Sequence, residues 1–114
     1  MDEVKAACQV TSEIAVSDGY LRIAAATPKI RVGDVAGNAA AILECVDAAV
    51  RAGARVLALP ELCLTGYTCG DLFHDRALLR AAESALAGLL EDTADTPLLF
   101  TVGLPVAHRE NVYN

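Results

Sequence analysis

At 114 residues the chain is one domain or part of one, and its formal charge of −6, with basic residues scattered rather than clustered, excludes a nucleic-acid backbone as an expected partner. Hydrophobic residues make up 54% of it and aromatics only 4%, so the apolar mass is Ala, Val, Leu and Ile; that suits parallel strands buried on both faces between Ala-rich helices, a core that so small a domain struggles to cover alone. No apolar run reaches the roughly 18 residues that a membrane helix needs, so no membrane partner is expected.

Residues 1–17 are mixed in character and read as an N-terminal extension, in which the stretch from Val10 to Val16 could pair with another segment but shows no clear period. Residues 21–27 (LRIAAAT) form a short apolar run closed by Pro28, and read as a strand. Gly33-Asp34 is a turn signal with Asp34 as a helix N-cap. A helix is expected over residues 36–52, with Ile42, Leu43, Val46, Ala49 and Val50 on one face and Gly53 at the position of a left-handed cap. Residues 55–59 (RVLAL) are a second strand, stopped by Pro60. The order strand, helix, strand with short connections is a βαβ unit, which builds parallel sheet.

Residues 61–74 read as a longer loop. A second helix is expected over residues 75–93, with Leu78, Leu79, Ala82, Leu86, Leu89 and Leu90 as its apolar stripe. A third strand follows Pro97 over residues 98–103, then a connection over residues 104–110 with a polar tip. Residues 112–114 look like the start of a fourth strand. A strand that stops within three residues is not a natural domain boundary, so the sequence is expected to be a fragment truncated at its C-terminal side.

The four cysteines, Cys8, Cys45, Cys63 and Cys69, contain no C-x-x-C pair. Residues 1–9 lack the apolar stretch of a secretory signal. Reduced thiols in a cytoplasmic protein are therefore the expectation. Cys63, Cys69, His74 and His108 match no zinc-ligand spacing, and no phosphate-binding glycine motif or G-x-S-x-G elbow occurs.

In open α/β sheets, ligands bind beyond the C-terminal ends of parallel strands. Pro60-Glu61 and Leu104-Pro105 occupy that position. A carboxylate directly after a buried strand sits at the edge of a low-dielectric interior, where desolvation raises its pKa and suits it as a base. From position alone, a carboxylate such as Glu61 more often caps a turn or pairs with a cation. Tyr67, in the same loop, could contact a small substrate or simply pack. Cys63 and Cys69 read as small packing residues, because no Lys or Arg lies between Glu61 and Asp75 to favour a thiolate.

The run from Leu57 through Pro60-Glu61 to Gly66-Tyr67 resembles the carbon–nitrogen hydrolase (nitrilase) superfamily. Other landmarks fall in order: the strand before Pro28, Asn38 in a Gly-Asn-Ala setting, Val102-Gly103-Leu104-Pro105, and Tyr113-Asn114. Within the superfamily, the loop from Thr65 to Phe73, with its Gly-Tyr and Asp-Leu, and the lead-in from Asp18 are similar to the glutaminase domain of bacterial glutamine-dependent NAD+ synthetases. The resemblance covers residues 18–114. It implies the N-terminal βαβαβ portion of an α-β-β-α sandwich and a Glu–Lys–Cys triad. Of that triad, Glu61 is present as general base. The Lys and Cys fall beyond Asn114 in the family's order. Tyr67 maps to the wall of a glutamine pocket.

Glutamine as substrate, a C-terminal synthetase domain as partner, a homo-oligomer when intact, and ATP and Mg2+ for that absent domain are further implications of the resemblance. The residues present imply no cofactor or metal of their own. Two other readings stay open. One is a stand-alone nitrilase-family amidase or carbamoylase. The other, of a different class, is a non-catalytic α/β interaction module in which Glu61 is only a cap.

Overall fold

The computed structural model describes the backbone of residues 8–12 and all atoms of residues 19–114. The elements in chain order are β1 (Cys8–Ser12), β2 (Ile23–Pro28), α1 (Val35–Arg51), β3 (Val56–Ala58), a 3-10 turn (Gly70–His74), α2 (Arg76–Asp92), β4 (Leu99–Phe100), β5 (Val106–His108) and β6 (Asn111–Tyr113). Strands β1 to β4 form one sheet in that order, and β5 and β6 form a separate hairpin. The β2–β3 and β3–β4 pairs are parallel. The expected βαβαβ core is therefore present, joined by right-length crossover helices.

Helix α1 starts at the expected cap, Asp34, and α2 starts after Asp75, which caps it rather than opening it. Asp34 accepts a hydrogen bond from the Gly37 N–H, and Asp75 accepts one from the Ala77 N–H; each satisfies one of the orphan donors of a first turn. Helix α1 ends at Arg51, and Gly53 follows with φ of +79°, a conformation that costs other residues strain. Ile42, Val46 and Ala49 are buried on the expected face of α1, against the sheet residues Ala24, Ala26 and Leu57. On α2, Leu78, Ala82 and Leu89 are buried as expected, but Leu90 is exposed. It instead lines a shallow apolar groove of about 430 Å3 with Leu86, Leu99 and Phe100 along the open edge of β4.

Among the described residues the sheet is covered on one face, in keeping with a core that so small a piece does not cover alone. Along β2, Ala24, Ala26 and Pro28 are buried while Ile23, Ala25 and Thr27 are exposed. Ala58 and Leu99 stand open in the same way. Apolar composition registers that both faces want cover, but it does not say which segment supplies the second layer.

Three corrections concern segments without a local signal. The N-terminal region contributes β1, antiparallel to β2 with Val10 opposite Ala26; the remainder of the Val10–Val16 stretch lies outside the described residues. Residues 104–113, expected as a connection and the start of a strand, make the β5–β6 hairpin. His108 pairs with Asn111, leaving the two-residue loop Arg109-Glu110, with Arg109 at φ of +56°. Such a loop normally announces itself with Asn-Gly or Gly-Gly, and this one does not. Cys45, buried in α1, is in a disulfide rather than a reduced thiol: spacing along a chain does not report distance in space. No helix among the described residues is long and apolar enough to cross a membrane.

Candidate active site

Because β2, β3 and β4 run parallel, their C-terminal ends open on one edge of the sheet, and the chain leaving β3 there reads Leu59-Pro60-Glu61. The ladder extends past the strand ends. The Thr101 N–H donates to the Leu57 carbonyl at 3.2 Å, and the Leu59 N–H donates to the Thr101 hydroxyl at 3.2 Å. Pro60 then fixes φ and carries no donor that would need a partner.

Glu61 is exposed, whereas residues 62–66 after it are all buried. The run is held from several sides. The Leu64 N–H donates to the Gly103 carbonyl, the Thr65 and Gly66 N–H groups both donate to the Leu62 carbonyl, and the Gly33 N–H donates to the Thr65 carbonyl at 2.8 Å. Leu62 sits at φ of +51°, an unusual backbone for a branched side chain. Strain of this kind persists only where surrounding contacts over-determine it, and here it reverses the chain directly after Glu61. Gly66, at φ of +94°, packs against the Val32 Cα.

Two residues below the surface build this seat. Asn38 is 1% exposed. Its side-chain oxygen accepts from the Arg31 N–H at 2.8 Å, and its amide donates to the carbonyls of Arg31 and Leu64. One buried side chain thus ties the segment after β2 to the loop after β3. Gly103 lies so close beneath the loop that a Cβ built on it would fall 2.3 Å from the Leu62 N and 3.0 Å from the Glu61 carbonyl carbon. Sequence reasoning placed both residues in motifs but gave neither a role. An Asn on an otherwise apolar helix face was the available signal for Asn38; for Gly103, whose need is for space rather than for a special backbone angle, there was none.

The side chain of Glu61 accepts a hydrogen bond from the Asn114 amide. A hollow of about 220 Å3 lies on its flank, lined by Leu62, Phe73, His74, Pro105, Val112, Tyr113 and Asn114. Within this chain the Glu61 side chain stands at the edge of the buried interior and meets solvent. Tyr67 is 67% exposed on the same loop, open to contact by a ligand.

Cys63 and Cys69 are buried free thiols. The Cys63 thiol lies against the Gly103 carbonyl, and burial pushes its pKa up. Cys69 donates to the carbonyls of Thr65 and Gly66. Both have the setting of packing residues rather than of a nucleophile, which wants an electropositive environment. His74 borders the hollow, while His108 stands apart in the hairpin. Among the described residues, no group of three or more His, Cys, Asp and Glu side chains could hold a metal ion.

A carboxylate held on a rigid turn beyond a parallel strand stands where open α/β sheets bind and process ligands. Residues 22–114 match the Carbon-nitrogen hydrolase family, and the chain belongs to it. Its fold is the N-terminal βαβαβ portion of that family's α-β-β-α sandwich.

Within the family, similarity runs to glutamine-dependent NAD(+) synthetases. The one from Mycobacterium tuberculosis strain H37Rv is 39% identical over 100 residues, which cover 88% of this chain and 15% of the relative. The Homo sapiens one is 36% identical over 81 residues, covering 71% of this chain and 12% of the relative. A crystal structure of a glutamine-dependent NAD(+) synthetase from Cytophaga hutchinsonii superposes with a TM-score of 0.76 at 31% identity, covering 82% of this chain and 16% of that one. The chain therefore spans about one sixth or less of the relatives it matches.

Proposed function

We propose that this chain carries the general base of a glutamine-hydrolysing site that supplies ammonia for the ATP-dependent amidation of deamido-NAD to NAD. The observation that carries the reading is Glu61. It is the one exposed side chain of a run otherwise buried and hydrogen-bonded, at the sheet edge where ligands bind, in a chain whose relatives are named as glutamine-dependent synthetases.

In this mechanism Glu61 accepts the proton of a cysteine thiol as the sulfur attacks the side-chain amide carbon of glutamine. The resulting oxyanion is held by a lysine ammonium and a backbone N–H. Glu61 then hands its proton to the departing nitrogen, and ammonia leaves behind a thioester. A water molecule, deprotonated by the same carboxylate, cleaves the thioester to glutamate and restores the thiol. Tyr67 forms part of the glutamine pocket wall. The nucleophile and the lysine come from segments of the domain outside this chain. So does the synthetase domain, which would hold ATP and Mg2+; no phosphate-binding motif occurs in these 114 residues.

Isotope transfer tests the reaction. Glutamine labelled with 15N in its side-chain amide, given to the intact enzyme with ATP and deamido-NAD, should place the label in the carboxamide of NAD. Label found only in free ammonia would identify a stand-alone amidase and sink the synthetase assignment.

A further inference from the structure

The backbone of Glu61 is fixed by its neighbours, but its side chain is exposed and no packing holds its torsions from all sides. Ordering such a flexible side chain costs entropy that something must offset. One hydrogen bond does this among the described residues, and it comes from Asn114. The β5–β6 hairpin delivers it. Tyr113 pairs with Val106 next to the buried Pro105, so the residue after Tyr113 emerges at the wall of the hollow beside Leu62. The direction of the bond is dictated by chemistry: a carboxylate only accepts, so the Asn114 side chain must present its NH2 group.

We propose that Asn114 is a positioning residue for Glu61. Its amide holds one carboxylate oxygen, Oε1, and leaves the second free for the proton in transit. A neutral amide suits that place. It donates to a carboxylate that can only accept, and it has no titrating proton to exchange with the base, as a lysine or an imidazolium would. The proposal rests on the reading of Glu61 as the general base.

The test uses the intact enzyme containing this segment, with kcat and KM measured for glutamine and, separately, synthesis driven by ammonium salt. Asn114→Ala should lower kcat for glutamine about tenfold, the scale of one hydrogen bond to a charged group, with KM changed by less than about threefold. Asn114→Asp should fall further, because it sets a second carboxylate against the first. Neither should reduce the ammonium-driven rate. In a Glu61→Asp background, where the shortened side chain no longer reaches the amide, Asn114→Ala should cost less than about twofold. An undiminished kcat in Asn114→Ala, an equal cost in both backgrounds, or a parallel fall of the glutamine and ammonium routes would each overturn the proposal. Full glutamine turnover in Glu61→Gln would instead remove the base reading itself, whatever the Asn114 variants do.

Discussion

Adding a single methyl group beneath the candidate base should disable it without touching it. In Gly103→Ala the new Cβ would lie 2.3 Å from the Leu62 N, 3.0 Å from the Glu61 carbonyl carbon and 3.1 Å from the Pro60 oxygen. All three are backbone atoms, so no side chain can rotate away. Restoring ordinary contact requires the Pro60–Leu62 segment to move outward by about 1 Å, a misplacement that typically costs about 10²-fold in rate where reacting groups must be aligned. The overpacking itself should cost about 1–3 kcal/mol of stability, which leaves a folded protein if the intact domain is ordinarily stable. The assay is glutamine hydrolysis by the intact enzyme, with ammonium-driven synthesis as the control for folding. A variant with native glutamine turnover would refute the claim that Gly103 seats the Glu61 backbone.

Two other expectations follow from the same site. Asn38→Ala removes three hydrogen bonds and strands the buried Leu64 carbonyl, so it should destabilise the fold by about 1–3 kcal/mol in denaturant titration; a midpoint unchanged from the parent would show that the clamp is dispensable. Cys63, buried with its thiol pKa raised, should resist iodoacetamide at neutral pH in the folded protein and react once it is unfolded; prompt native-state labelling traced to Cys63 by peptide mapping would contradict the packing role.

What could be read from the sequence was what is local. Asp34 caps its helix as expected because an N-cap is a matter of one side chain and the next turn. The stop at Pro60 and the carboxylate after it were legible for the same reason. The one-sided cover of the sheet was not, because alternation along β2 is hidden when nearly every residue of IAAATP is small or apolar. Strand β1 and the hairpin went unseen because pairing is long-range, and because Arg109-Glu110 lacks the turn chemistry that marks a tight loop. Asn38 and Gly103 act through contacts 26 and 40 or more residues away in the chain, where neither composition nor period carries information. For Glu61, position after a buried strand carries information on the backbone, which is fixed, but not on the surroundings of the carboxylate, which is exposed within this chain.

The role of Glu61 is the central claim, and Glu61→Gln in the intact enzyme tests it most directly. Glutamine at that position keeps the size and much of the hydrogen bonding but cannot take a proton. NAD formation should be measured with glutamine and, in parallel, with ammonium salt as the nitrogen source. General-base help is worth about 10²–10⁴-fold, so the glutamine-driven rate should fall at least that far while the ammonium-driven rate stays near that of the parent. If the two rates fall together, or if neither falls, Glu61 is a structural carboxylate and not the base.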